Sequence, residues 1–128
     1  MNENVKKVLT DNIWSVATCG DGPNVVPVGF KMVGDDDKLI IGDVLMETTK
    51  NNIIANGRIA ISAFSPETSE GYQVKGTAEY FSEGPLVEKL QAIAKEKFGD
   101  RLFNKGAIVI TPEKIIVTSP GPDNKKVL

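Results

Sequence analysis

The sequence predicts a mainly β protein, an antiparallel barrel with helices attached. Six or seven short runs rich in β-branched residues are separated by turn chemistry, and only one long segment has helical periodicity. No regular crossover helices alternate with the strands, which disfavours a parallel, doubly wound sheet. The 128 residues, 41% apolar and 25% charged, have the length of one ordinary domain spanning 1–128, with no linker or internal repeat to divide it.

Residues 3–10, ENVKKVLT, set Val5, Val8 and Leu9 on one face of a short leading helix. IWSVATC (13–19) reads as a strand, and GDGP (20–23) is strong turn chemistry. A second strand follows at NVVPVGFKMV (24–33), interrupted by Pro27 and Gly29. The proline forfeits a ladder bond and the glycine removes a side chain. Such a strand implies an edge, a bulge, or a place where another molecule lies against the backbone. GDDDK (34–38) lacks the alternate spacing and closing glutamate of a calcium loop, and reads as a solvated turn.

KLIIGDV (38–44) is a third strand, broken at Gly42. A short helix of about two turns starts in METTKNNIIANG (46–57) and ends at Asn56-Gly57. RIAISAF (58–64) and GYQVKGTAEYF (71–81) are the next strands, separated by the polar loop SPETSE. GPLVEKLQAIAKEKFG (84–99) is the long helix: Pro85 suits its first turn, Val87, Leu90, Ala94 and Phe98 recur at helical spacing, and Gly99 supplies the stop. GAIVITPEKIIVTS (106–119) gives two β-rich runs around a Pro-Glu-Lys turn, expected as a final hairpin or bent strand pair, and PGPDNKKVL is expected as an exposed tail.

Composition excludes more than it selects. With no histidine, imidazole is unavailable as base, proton shuttle or metal ligand, and the single cysteine makes neither an intrachain disulfide nor a thiolate metal cluster. Without a histidine to deprotonate it, Cys19 is expected as a buried structural residue. The formal charge of −2 and scattered basic residues do not form a nucleic-acid footprint. No apolar run approaches the roughly 18 residues of a membrane span, and MNENVKKVL has no secretory pattern, so a cytoplasmic protein is expected. Any chemistry here points to an organic cofactor.

The window METTKNNIIANG admits two readings. A helix start exposes unpaired N–H groups and the positive end of the helix dipole, which suit a phosphate; Thr48 and Thr49 add hydroxyls and Lys50 a charge. Threonine is equally a common N-cap. No GxxxxGK[ST] or GxGxxG nucleotide loop occurs anywhere.

Taken in order, VLTDNIWSVATCGDGPNVVPVGF, KLIIGDVLMETTKNNIIANGRIAI, GYQVKGTAEYF and AIVIT give the chain a resemblance that covers nearly its whole length. It resembles the FMN-binding split-barrel family related to pyridoxamine 5′-phosphate oxidase, and its small single-domain members most of all. The resemblance implies a six-stranded antiparallel split β-barrel of Greek-key type with one long and two short helices. It also implies a homodimer with FMN at the subunit interface. Pro27, Val28, Gly29 and Phe30 would line the isoalloxazine and ribityl chain, Ile41, Gly42 and Asp43 would flank it, and Thr48, Thr49, Lys50 and Asn51 would hold the phosphate. Trp14 is expected in the core, and Tyr72 is a possible partner for the ring or the second subunit.

The oxidase's own Arg/His-bearing substrate segment has no counterpart in TSPGPDNKKVL, so the oxidase reaction is not implied. The leading expectation is an FMN-dependent oxidoreductase or electron-transfer protein, served by NAD(P)H or a protein donor. The alternatives are a non-catalytic flavin carrier, or a relative that binds another planar or phosphorylated cofactor.

Overall fold

In a computed structural model describing residues 1–128, period-two alternation sets the first strand. Trp14, Val16 and Thr18 of β1 (Trp14–Cys19) point inward and Ser15 and Cys19 outward. Cys19 is therefore exposed, contrary to the buried role expected of it, because the alternation that buries Trp14 turns every odd position of the strand to the surface.

The other strands are β2 (Pro23–Val28), β3 (Lys31–Val33), β4 (Leu39–Asp43), β5 (Arg58–Phe64), β6 (Gly71–Phe81) and β7 (Gly106–Val117). With α1 (Glu3–Asp11), α2 (Thr48–Asn56) and α3 (Pro85–Phe98) they make a mainly β fold with three helices. All seven strands pair antiparallel in the order β2-β1-β5-β6-β7-β4-β3.

Seven strands replace the six expected because the segment 24–33 is two strands. Up to Val28 it pairs with β1, and from Lys31 it pairs with β4 at the opposite edge of the sheet. The step from Val28 to Lys31 spans at most about 11 Å, so the sheet must curl until its two edges nearly meet at Gly29-Phe30. The interruption read at Pro27 and Gly29 is thus the seam where the two edges of the curled antiparallel sheet approach each other.

The final hairpin is also corrected. Gly106–Val117 is one continuous strand whose first half lies between β4 and β6 and whose second half pairs with β6 alone. Pro112 fits inside it because the β6 register slips between Lys75 and Gly76, and a Cβ on Gly76 would collide with the Thr111 carbonyl. The tail is exposed, although Leu128 N–H donates to the Ile115 carbonyl at 2.9 Å.

Helix α1 stoppers one end of the barrel. Asn2 caps it by accepting from Val5 N–H at 2.9 Å, and Val5, Val8 and Leu9 enter a seventeen-residue core with Trp14, Leu39, Ile61 and Ile110. Trp14, fully buried as expected, donates from Nε1 to the Leu9 carbonyl at 2.7 Å. Tyr72 belongs to the same core. Helix α3 covers a second, smaller core in which Val87, Leu90 and Ala94 pack on Phe30 and Ala107, with Phe98 edge-on to Phe30. No helix is long and apolar enough to cross a membrane.

Candidate functional site

The seam opens into a cleft of about 420 Å³, within the usual size range of cofactor sites. Its first wall is the end of β2 and the link, from Asn24 to Phe30; its second is Gly42 and the run Val44–Thr49 that leads from β4 into α2. Of the eleven residues expected at a cofactor, Pro27, Val28, Gly29, Phe30, Gly42, Thr48 and Thr49 line this cleft. Ile41 lies in the sheet's main core, Asp43 is fully buried, and Lys50 and the exposed Asn51 of α2 do not line the cleft.

The two glycines play opposite parts. A Cβ on Gly29 would meet nothing within 4 Å, so bare backbone faces the open cleft there. A Cβ on Gly42 would enter the Phe30 ring and lie 2.8 Å from Asn104 Oδ1; this glycine makes room for protein.

At the start of α2 the expected threonine cap is absent. Glu47 is the N-cap residue, and no side chain accepts from the first turn. The donors that every helix start leaves unpaired are therefore uncovered next to the cleft, with the dipole's positive end. Thr49 is held rather than free: its Oγ1 accepts from Asn24 Nδ2 at 3.1 Å, and Thr18 Oγ1 accepts from Asn52 Nδ2 at 3.0 Å. This leaves the Thr49 hydroxyl proton available as a donor. The chain of asparagines and threonines fixes α2 against β1 and β2, and Gly20 leaves room for it, because a Cβ there would crowd the Asn52 amide.

A second cluster holds the loop between β4 and α2. Asp43 accepts from Met46 N–H at 2.9 Å and from the Tyr80 hydroxyl at 2.5 Å, and Lys105 Nζ lies 3.8 Å from Asp43 Oδ1 while donating to the Met46 carbonyl at 3.1 Å. Burial, then the Asp43 carboxylate, pushes the Tyr80 hydroxyl far above its ordinary pKa. Lys50 rests over the Tyr80 ring, 4.9 Å from its centre, so the charge expected at a phosphate is parked beside the cleft. Asp43 is thus a brace for the cleft rim.

Behind Gly42, Asn104 has no exposed surface, and neither amide atom has a partner. An unpaired buried polar atom costs roughly 1–3 kcal/mol, so this amide is an outlier in a native fold.

Sequence reasoning missed Asn24, Val26 and the lining run Val44–Glu47, and it missed the supporting residues Tyr80, Lys105 and Asn104. Asn24 and Val26 carried a readable signal, because period two puts them on the side of the strand that holds Val28. The side-chain partners of Asp43, Tyr80 and Lys105, lie 37 and 62 residues further along and left no local trace.

The pyridoxamine 5′-phosphate oxidase family model matches residues 1–119, and the chain belongs to that family. It is 34% identical to the protein MJ0282 of Methanocaldococcus jannaschii over 132 aligned positions, covering all of this chain and 87% of the relative. Among solved structures it is similar to HupZ of Group A Streptococcus, with 27% identity, a TM-score of 0.85, and coverage of 96% of this chain and 98% of HupZ. It also shares its fold with an FMN-binding protein of Syntrophomonas wolfei, with 15% identity, a TM-score of 0.79, and coverage of 94% and 87%.

Proposed function

We propose that the chain is an FMN-binding flavoprotein that works as an oxidoreductase or electron-transfer protein, with the cofactor in the seam of the barrel. The observation that carries this reading is one cleft with bare backbone at Gly29 on one wall and the uncapped start of α2 on the other. The first suits a flat ring and the second a phosphate. The donor set fits FMN: first-turn N–H groups, the Thr48 and Thr49 hydroxyls, and Lys50 once it leaves Tyr80. Bound there, FMN would supply redox chemistry with electrons from NAD(P)H or a protein donor; the residues of the chain bind it, orient it and exclude water.

Family membership and the FMN-binding neighbour support the same reading. A homodimer belongs to it as well. Outward-facing Val25 and Pro27 of β2, Ala17 of β1, and Ala60 and Phe64 of β5 give one side of the sheet an apolar character that a second copy would cover.

The test is a titration of the purified chain with FMN and with riboflavin, followed by absorbance and sedimentation. FMN should bind more tightly than riboflavin, and Thr49→Ala combined with Lys50→Ala should remove that preference. Equal losses for both ligands would put the phosphate elsewhere, and no binding of either would sink the flavin reading. Anaerobic NADPH or NADH should bleach the bound flavin, whereas a carrier would stay oxidised. A monomer that still binds FMN tightly would refute the dimer.

A further inference from the structure

The Asn104 amide presents a donor and an acceptor side by side, both unpaired and both shut away from solvent. Its backbone carbonyl is already committed, accepting from Gln91 Nε2 at 3.2 Å. Its Oδ1 and the Phe30 ring both crowd the place a Cβ on Gly42 would take, and Phe30 and Gly42 both line the cleft. The amide oxygen therefore lies close behind Gly42, beside the ring that lines the cleft with it. That ring is carried on the two-residue link between β2 and β3, beside Gly29, which has open space around it.

We infer that Asn104 is a ligand-reading residue of the cleft: once the Phe30 ring turns off Gly42, its amide pairs with a planar heterocycle that carries adjacent N–H and C=O groups. This rests on the FMN reading, and in FMN the matching group is the imide edge of the isoalloxazine ring. The chemistry selects this partner. A phosphate or carboxylate accepts only and would leave Oδ1 unpaired, and an apolar ring edge would leave both atoms unpaired. A lactam or imide satisfies the two together.

Three full-length measurements test it: FMN affinity, affinity for FMN methylated at N3, and the melting temperature without ligand. The wild type should bind FMN at least about tenfold more tightly than the N3-methyl analogue, because methylation removes the donor that Oδ1 needs. Asn104→Leu should bind both flavins alike. It should also melt no lower than the wild type when empty, since an apolar side chain of similar size replaces two unpaired atoms. A drop of about 4 °C or more in that melting temperature would identify the amide as structural, bridged by buried water, and overturn the inference. Equal FMN affinity in the wild type and Asn104→Leu would overturn it too, as would a wild type indifferent to N3 methylation; the last result decides the matter even if the leucine variant does not fold. A wild type that binds no flavin at all would bring down the FMN reading together with this one.

Discussion

Gly42→Ala and Gly29→Ala are the same chemical change on the two walls of one cleft, and the structure gives them opposite outcomes. At Gly42 the new methyl enters the Phe30 ring and comes within 2.8 Å of Asn104 Oδ1, in a core already closed by α3. Overpacking of this kind costs about 1–3 kcal/mol, which for a chain of this length lowers the melting temperature by roughly 4–12 °C. At Gly29 the methyl meets nothing within 4 Å, and the residue is not among the glycines with positive φ. Alanine there should be neutral or stabilise by up to about 1 kcal/mol through the unfolded chain, yet weaken FMN by crowding the face of the cleft. Urea unfolding of both variants checks the stabilities, with unchanged denaturant slopes showing that the same transition is compared. Phe30→Leu should relieve part of the Gly42→Ala penalty, giving a coupling of about 0.5–3 kcal/mol in the double-mutant cycle. A Gly42→Ala protein as stable as the wild type, or a Gly29→Ala protein less stable than Gly42→Ala, would refute the packing argument.

Two further predictions concern the rim of the cleft. The raised hydroxyl pKa of Tyr80 stabilises the fold fully below the ordinary tyrosine value of about 10, and that stabilisation is lost as the pH rises beyond it; Tyr80→Phe should therefore lower the melting temperature at pH 8, and the gap to the wild type should narrow by pH 11, whereas a gap of constant size would contradict the assignment. Glu47 places a carboxylate beside the proposed phosphate position, so Glu47→Gln should tighten FMN several-fold while leaving riboflavin unchanged, and an equal effect on both ligands would separate Glu47 from the phosphate.

Local punctuation made some of this structure readable in advance. Pro85 and Gly99 bracket α3, and alternation places Trp14 and Val16 inside, because helix caps and strand period are written in neighbouring residues. What failed depended on distant partners. Pro27 and Gly29 announce that a ladder stops, but nothing local says that β4 takes over from β1 after Val28. Pro112 looked like a turn because its tolerance comes from Gly76, 36 residues earlier in the chain. In the cleft, the residues that expose backbone or start a helix were legible, since their chemistry is their own. Lys50 was legible only as a charge, because the ring that holds it belongs to β6.

A seam left open in a sheet is also a hazard, since unpaired strand edges are templates on which other chains can build. Here the two edges are β2, which carries Pro23 and Pro27, and β3, which is only three residues long. Prolines withhold the donors that an added strand would need, and a three-residue edge offers too little ladder to hold one. The gap can thus leave its backbone exposed while giving aggregating chains little to grip, so one proline-bearing segment lets an open cleft coexist with sheet edges that resist further pairing.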